Sequence, residues 1–209
     1  MQQLELLTDF APNIPVEYHP GFLNQLEATN LFEHCKKLKW QQNQFEIFGK
    51  INDLPRLECM YGETGAYYVY SRGRVKLEAN PWTPELLWLK NKVEEFCKYR
   101  FQVVIGNLYR HGQDSIGWHS DNEPSMGKSP AIASISLGAS RKFSIKSKLK
   151  DAKPYHYRLE HGSLLLMLPG CQEGFVHEVP KDNSVLKERI NLTFRPYIFN
   201  HEKTANHSQ

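Results

Sequence analysis

Two side chains that could bind one metal ion stand two residues apart in the segment Trp118-His119-Ser120-Asp121. In an extended chain, successive side chains point to opposite faces, so His119 and Asp121 point the same way. An imidazole and a carboxylate at this spacing can therefore reach a single cation. The same pair also occurs in solvated loops, where the aspartate forms a turn, so the pair alone leaves both interpretations open.

A second histidine, His177, follows later in the chain within Phe175-Val-His-Glu-Val179. Two histidines and one carboxylate are the ligand set of non-haem Fe(II) oxygenases, which leaves further coordination positions open. The same side chains could hold Mn(II), Co(II) or Ni(II), because the affinity order of divalent metals does not by itself select iron. We therefore predict a metal centre of His119, Asp121 and His177. Trp118 is expected to pack in the core beside it.

The segment Arg189–Arg195 alternates between polar and apolar residues. As a strand it presents Arg189, Asn191, Thr193 and Arg195 on one face and Ile190, Leu192 and Phe194 on the other. If the polar face is buried, each guanidinium needs an anionic partner, because arginine keeps its proton. One dicarboxylate lying across a twisted strand could bind both arginines. The alternatives are a smaller anion bound at each arginine, or a polar strand face that lies in water. Asn107 and Tyr109 form another polar pair on one strand face, able to donate hydrogen bonds to carboxylates.

Helices and strands must position these residues. One helix is predicted to begin after Asn24, an N-cap with Glu27 three residues on, and another to run from Thr83-Pro84 to about residue 100. Runs rich in Val, Ile, Tyr and Phe predict strands at residues 66–70, 103–109, 132–137, 141–146, 163–167 and 189–196. Two helices followed by many strands predict an antiparallel sandwich or barrel backed by helices.

The composition is typical of one globular domain, with 209 residues, 40% of them hydrophobic and 23% charged. No apolar run approaches the roughly 20 residues of a membrane-spanning helix, and no secretory leader is predicted. Four scattered cysteines indicate no disulfide framework, so we expect an intracellular protein, cytoplasmic in a bacterium and nuclear in a eukaryote. Seven of the 26 Lys and Arg residues fall within residues 141–160, beside two acids. That stretch indicates either a polyanionic partner or a solvated strand face.

Together these motifs resemble the signature of AlkB-type Fe(II)/2-oxoglutarate dioxygenases, from about residue 48 to residue 196. The resemblance implies a mainly β fold with flanking helices, a double-stranded β-helix or jelly roll with an N-terminal nucleotide-recognition lid. It implies that His119, Asp121 and His177 bind Fe(II), with 2-oxoglutarate and O2 as cosubstrates. Arg189 would face the distal carboxylate of 2-oxoglutarate and Arg195 the metal end. The full implied cosubstrate site is Asn107, Tyr109, Arg189, Asn191, Thr193 and Arg195.

We expect one domain with four parts. Three prolines indicate an irregular arm at residues 1–20. A helix and the lid are expected at residues 21–80, a helix and the jelly-roll core at residues 81–200, and a polar tail at residues 201–209. The protein is expected to be a monomer.

The N-terminal half resembles AlkB homologues that repair double-stranded DNA. In those enzymes an aromatic residue on a hairpin fills the gap left by the flipped base, and Phe48 occupies that place. Packing of Phe48 inside the hairpin is the alternative, although Gly49 and Lys50 favour a turn. The residues implied to contact substrate are Phe48, Gly49, Lys50, Arg56, Tyr68, Tyr70, Asn122 and Glu123. Among them, Lys50 and Arg56 would meet phosphates, Tyr70 would stack on the extruded base, and Glu123 would favour a cationic methylated base. A merely polar loop is the alternative for Asn122 and Glu123.

The implied activity is oxidative demethylation of N-alkylated bases, such as 1-methyladenine and 3-methylcytosine, in DNA. 2-Oxoglutarate would yield succinate and CO2, and the methyl group would leave as formaldehyde. Duplex DNA is the favoured partner, with single strands and RNA as further partners and no membrane. Lys142, Ser144, Lys146, Lys148 and Lys150 would follow the phosphate backbone. The alternatives are the same chemistry on single-stranded nucleic acid, on a protein or on a small molecule, and a catalytically silent nucleic-acid-binding jelly roll.

Overall fold

The computed structural model describes residues 14–47, 49–70 and 75–199. The helices are α1 (Gln25–Cys35), α2 (Pro84–Cys97) and α3 (Cys171–Gly174), with a 3-10 turn at Pro124–Met126. The strands are β1 (Val16–His19), β2 (Gln44–Ile47), β3 (Lys50–Asp53), β4 (Leu57–Gly62), β5 (Tyr67–Tyr70), β6 (Val75–Glu78), β7 (Val103–Tyr109), β8 (Ile116–His119), β9 (Ile132–Gly138), β10 (Arg141–Ser147), β11 (Tyr155–Leu159), β12 (Ser163–Met167), β13 (Phe175–Val179) and β14 (Arg189–Arg195). Within these ranges, no helix is long and apolar enough to cross a membrane.

Two antiparallel sheets form the body of the molecule. The large sheet has the strand order β1-β12-β9-β14-β7-β4, and the small sheet has the order β11-β10-β13-β8. Apolar residues of both sheets, such as Ile132 and Leu165 from the large one and Phe143 and Ile145 from the small one, pack into a shared core. The result is the jelly-roll sandwich predicted from the sequence. The hairpins β2–β3 and β5–β6 stand apart from both sheets.

The two long helices cover the outer face of the large sheet. Asn24 caps α1 as predicted, because its Oδ1 accepts from the backbone N–H of Glu27 at 2.9 Å while the Glu27 carboxylate accepts from the N–H of Asn24. Thr83 caps α2 through a 3.2 Å bond from the Leu86 N–H. The apolar residues of both helices form one core cluster with Ile190, Leu192 and Phe194 of β14. This packing anchors β14 from behind.

Strand β14 lies inside the large sheet, between β9 and β7, and all seven of its residues are buried. Since Ile190, Leu192 and Phe194 face the helices, the polar residues of β14 face the interior of the sandwich. The alternative in which that polar face meets water is therefore wrong.

Two parts of the expected chain division differ from the structure. Within the arm expected to be irregular, Val16–His19 forms β1 and pairs with β12, because its alternating residues extend the large sheet at an edge. Within the range assigned to a helix and the lid, β4 pairs with β7 and belongs to the large sheet. The lid is thereby confined to the two hairpins. Residues 1–13 and the tail at 200–209 lie outside the described residues.

Candidate active site

Two neighbouring strands and one loop bring the three predicted metal ligands together. His119 ends β8 and pairs directly with His177 of β13, and Asp121 follows in the loop after β8. One ligand atom from each of the three lies within 4.8 Å of the others. The His119 Nε2 is 3.7 Å from Asp121 Oδ1, and the His177 Nε2 is 3.9 Å from Asp121 Oδ2. These distances place two imidazoles and a carboxylate around one point.

An extra residue in β8 decides which way its side chains face. Ile116 pairs with Val179 and His119 pairs with His177, so three steps along β8 match two steps along β13. This β-bulge lets Ile116 and His119 both face the cavity although they are three residues apart. Trp118 lies on the bulge and is 39% exposed. The expectation that Trp118 packs in the core is therefore wrong, because Trp118 directly precedes the inward-facing His119 in the strand and so faces the opposite side.

Hydrogen bonds and charges hold the ligands in the form that a metal requires. The His119 Nδ1 lies 2.8 Å from the Gly117 carbonyl, which can only accept, so Nδ1 carries the proton and the Nε2 lone pair is free. Burial lowers the pKa of His177 to about 3, which keeps its imidazole neutral. Burial would raise the pKa of Asp121, but Arg195, His119 and His177 outweigh it and hold that pKa below its ordinary value. Neutral imidazoles beside a carboxylate match the ligand chemistry of Fe(II).

At the metal end of β14, Arg195 is paired with acids. Its Nη2 lies 3.0 Å from Asp121 Oδ2, and its Nη1 lies 3.9 Å from Glu123 Oε2. The guanidinium also lies 5.3 Å from the centre of the Tyr68 ring. Burial alone would lower the pKa of Arg195, but Asp121, Tyr68 and Glu123 raise it above its ordinary value. Arg195 therefore orients the metal-ligating carboxylate.

At the other end of β14, Arg189 is 1% exposed and has no acid within ion-pair distance among the described residues. Its Nη2 donates to Ser136 Oγ at 2.9 Å, while Nε and Nη1 have no hydrogen-bond partner in the described part of the chain. The guanidinium lies 5.2 Å from the centre of the Tyr109 ring. Burial lowers the pKa of Arg189 to about 10; Tyr109 opposes that fall and Arg141 adds to it. A buried cation with two free donors calls for a ligand anion.

Arg141 is a second buried guanidinium near this end, and the sequence did not single it out. It lies 5.6 Å from the Tyr109 ring centre. Its side chain donates to the carbonyls of His111, Asp114 and Pro180, in the loops before β8 and after β13. Arg141 thus holds the loops that adjoin both histidine-bearing strands. Its position at the head of a basic run hid this role, because charge alone does not reveal which lysine or arginine points inward.

One cavity of about 260 Å³ connects the two ends of β14. Between them, Asn191 donates to Ser134 Oγ at 2.7 Å, and Thr193 donates to Asn191 Oδ1 at 3.2 Å. All nine residues predicted for the metal and 2-oxoglutarate line the cavity: Asn107, Tyr109, His119, Asp121, His177, Arg189, Asn191, Thr193 and Arg195. The unpaired donors of Arg189 at one end and the triad at the other fit a metal-chelating diacid. A diacid shared by both arginines and a separate anion at each arginine both fit poorly, because Arg195 already has Asp121 as its anion. A diacid with one carboxylate at Arg189 and the other at the triad agrees better.

The predicted substrate residues Tyr68 and Glu123 meet at the same cavity, where the Tyr68 hydroxyl donates to the Glu123 carboxylate. Burial raises the pKa of Tyr68, so its hydroxyl keeps its proton. Asn122 is exposed and is not part of the cavity wall. Glu123 is thus the residue of this loop that could face a cationic base.

Arg56 does not reach the surface, so its predicted phosphate contact is wrong. Its guanidinium is 7% exposed and donates to Glu58 Oε1 at 2.7 and 3.0 Å and to Asn107 Oδ1 at 2.9 Å. Glu58 also accepts from Asn43 at 2.9 Å. The sequence offered one signal of this ion pair. Glu58 follows Arg56 by two residues, so in an extended chain the two side chains point the same way. Both side chains line the cavity, and the sequence analysis did not recognise them as an ion pair there.

The hairpin β2–β3 and the end of β5 carry the remaining lid predictions. Gly49 adopts φ +77 with nothing within 4 Å of an added Cβ, and Lys50 is exposed, as expected of a turn. Phe48 and the side chain of Tyr70 lie outside the described residues, so their roles stay predictions. The hairpin is placed to present its tip to solvent.

The predicted basic strand face is only partly exposed. Lys142 is exposed and Lys146 half-buried, but Ser144 is 1% exposed and lies 3.1 Å from a ring nitrogen of His156. Lys148 donates to the backbone carbonyl of Gln172 at 2.7 Å.

The side chain of Gln172 supports the loop that carries Asp121. Its Oε1 accepts from the backbone N–H of Asp121 at 2.8 Å, a contact between residues 51 apart that no sequence pattern indicates.

Comparisons with known proteins agree with this site. The family model described as "2OG-Fe(II) oxygenase superfamily" matches residues 15–195. Alpha-ketoglutarate-dependent dioxygenase alkB homolog 3 of Bos taurus is 42% identical over 186 residues, and the Homo sapiens protein 39% over 187. The alignments cover 84% and 85% of this chain but only 64% of each relative. DNA oxidative demethylase ALKBH2 of Bos taurus is 36% identical over 86% of this chain and 68% of its own.

A solved structure, that of OsALKBH1, shares the fold. It superposes with a TM-score of 0.60 at 18% identity and covers 88% of this chain and 97% of its own.

Proposed function

The chain belongs to the 2OG-Fe(II) oxygenase superfamily and, within it, to the AlkB homologues, and from that membership we propose that it oxidatively demethylates N-alkylated bases in DNA. The observation that carries the proposal is the single cavity that unites the His119–Asp121–His177 triad with the unpaired Arg189. The ALKBH2 relatives are named DNA oxidative demethylases, which supports DNA as the substrate. A DNA substrate would place the protein with the genome, in a nucleus or a nucleoid.

Each group of cavity residues has a separate role in the proposed reaction. His119, Asp121 and His177 would hold Fe(II), and Arg189 would bind the distal carboxylate of 2-oxoglutarate. Bound iron would supply the oxidising chemistry that couples 2-oxoglutarate decarboxylation to hydroxylation of the N-methyl group. Arg195 keeps Asp121 oriented and ionised through its 3.0 Å contact. The buried walls exclude water from the reacting groups.

Glu123 and Tyr68 support a cationic methylated base as the substrate. Glu123 Oε2 is buried and has no hydrogen-bond partner within the described ranges. A carboxylate there favours a positively charged base such as 1-methyladenine or 3-methylcytosine over its neutral parent. The target base must leave the stack to reach this cavity, at a cost of a few kcal/mol that is smallest for an unpaired base.

The preference for duplex DNA rests on the hairpin β2–β3. Its described tip residues Gly49, Lys50 and Ile51 are exposed, the last by 68%. An exposed tip on this hairpin supports insertion of Phe48 into a duplex. RNA and single strands remain substrates to compare in the same assay.

Mass spectrometry of a methylated oligonucleotide, incubated with the protein, Fe(II), 2-oxoglutarate and O2, tests the activity. We expect each lesion to lose one CH2 and succinate to accumulate in step. An unchanged oligonucleotide would contradict the proposal.

Comparing Phe48→Ala with wild type on duplex and single strands tests the lid: the variant should lose turnover on duplex alone. Equal duplex turnover in both proteins would remove Phe48 from that role.

A further inference from the structure

Trp118 presents an indole ring on the outer face of the small sheet, close to the mouth of the cavity. It lies on β8, which is the edge strand of that sheet, and its neighbour in the chain is His119. The side chain of His119 is 29% exposed, whereas those of Asp121 and His177 are each 6% exposed. The metal site therefore opens beside His119. His119 faces that opening, and Trp118, the preceding residue of the strand, faces the opposite side and is 39% exposed.

The face around Trp118 carries cations that lack acid partners. Lys146 Nζ lies 4.4 Å from the centre of the indole ring. Lys142 of β10 pairs directly with Arg158 of β11, and both are exposed. Like charges at directly opposite positions destabilise a sheet, and none of these three cations forms an ion pair within the described ranges. Two acids lie near these cations: Glu178, which is opposite Ser144, and Asp182, which lines one surface pocket with Lys142 and Arg158. Such a face gains stability when an anion binds it.

A second exposed tryptophan shows that this arrangement is not a general feature of the surface. Trp88 on α2 is 42% exposed and has Lys92 5.3 Å from its ring. Lys92, however, contacts Glu27 at 2.6 Å and is also 5.9 Å from the Phe22 ring. The cation near Trp88 is thus neutralised within the protein. The cation near Trp118 remains available to a ligand.

We propose that Trp118 is a stacking platform for an unpaired nucleobase that flanks the target base, and that Lys146 contacts the adjoining phosphate. The inference rests on the proposed function and names a contact outside the catalytic cavity. An indole face stacks on any base, and a lysine beside it can move from the ring to a phosphate oxygen. A flanking base that leaves its own stack requires a single-stranded stretch. The platform therefore acts on a single strand, or on a duplex in which the base next to the lesion has left its stack.

The experiment measures binding of a fluorescent single-stranded oligonucleotide with one 3-methylcytosine by anisotropy, without iron. We expect Trp118→Ala to weaken binding by about fivefold or more, the factor that corresponds to ~1 kcal/mol for one stacked base. Trp118→Phe should retain most of the affinity, because a phenyl ring also stacks. Trp88→Ala is the matched control and should bind as wild type does.

An abasic scan locates the base that stacks. Replacing the flanking nucleotides one at a time by abasic sites should weaken binding by wild type at one position. At that position Trp118→Ala should show no further loss. Equal affinity of wild type and Trp118→Ala, or additive losses at every abasic position, would overturn the platform.

Two measurements separate the outcomes. If wild type converts 2-oxoglutarate to succinate and demethylates the oligonucleotide while Trp118→Ala binds it equally well, the platform fails and the proposed function stands. If wild type shows no demethylation of any oligonucleotide, the proposed function fails. Equal thermal midpoints of wild type, Trp118→Phe and Trp118→Ala show that a loss of binding is not a loss of fold. Should Trp118→Ala be unstable, Lys146→Gln on the same face should also weaken binding, and unchanged binding would count against the proposal.

Discussion

The two ends of β14 hold buried arginines in opposite electrostatic settings. Arg195 contacts the carboxylate of Asp121 at 3.0 Å, and Glu123 lies near it. Arg189 lies near Tyr109 and a second guanidinium, Arg141, and it has no ion-pair partner among the described residues. The pKa of Arg195 is raised and that of Arg189 is lowered to about 10. Each arginine has a buried Nε and Nη1 without a hydrogen-bond partner in the described part of the chain. The difference is in charge, because Arg195 already has the anion of Asp121, whereas Arg189 gains an anion only when a ligand carboxylate binds.

This difference separates folding from binding. Removing one member of a buried ion pair leaves an uncompensated charge and destabilises the fold. Removing the Arg189 guanidinium loses one hydrogen bond to Ser136 but relieves the desolvation cost of an unpaired cation, so the main loss falls on the ligand that would pair with it. The strand thus stabilises the protein through one arginine and recruits a diacid through the other.

Loss of a metal ligand should have the largest effect on activity. His177→Ala leaves two ligands for iron, so demethylation should fall to background. Its far-UV circular dichroism should match that of wild type, because the backbone pairing of β13 with β10 and β8 does not depend on the imidazole. Retained turnover in this variant would remove His177 from the metal centre.

Substitution at the metal end of β14 should next affect stability. Arg195→Met leaves Asp121 buried without its cation, and the free energy of unfolding should fall by about 3–5 kcal/mol. Urea denaturation of the metal-free protein measures this change. Arg195→Lys, which keeps a charge, should lose less. A metal-free Arg195→Met protein as stable as wild type would mean that the contact with Asp121 contributes nothing to the fold.

Substitution at the distal end should weaken cosubstrate binding and leave the stability of the ligand-free protein unchanged. Arg189→Met should raise the KM for 2-oxoglutarate about 10- to 100-fold, the value of one charge-assisted hydrogen-bonded contact. The free energy of unfolding of the ligand-free protein should not fall. The exposed Arg100→Met is the control and should leave the KM unchanged. A fall in stability without a change in KM would show that Arg189 is a structural residue.

The sequence predicted the parts of this design that follow from alternation along one strand. The spacing of Arg189, Asn191, Thr193 and Arg195 placed all four on one face, and the cavity contains them. The helix caps at Asn24 and Thr83 were predicted because capping is local.

The errors arose where contacts are distant or where a local pattern was not followed through. Arg56 was placed at the surface although Glu58 lies two residues on, and its other partner, Asn107, meets it only in the folded sheet. Trp118 was placed in the core although its alternation with His119 puts it on the opposite face. The role of Arg141 also depends on tertiary structure, because its side chain donates hydrogen bonds to three carbonyls from two loops.

The bulge in β8 has a consequence for solubility. β8 is the outer strand of the small sheet, and a regular strand at a sheet edge offers its free backbone groups to another chain. The additional residue breaks the even spacing of those groups, so a second molecule cannot extend the ladder there. Deleting Gly117 would restore the spacing beside an exposed indole. The shortened protein should aggregate at concentrations where the full chain stays dispersed.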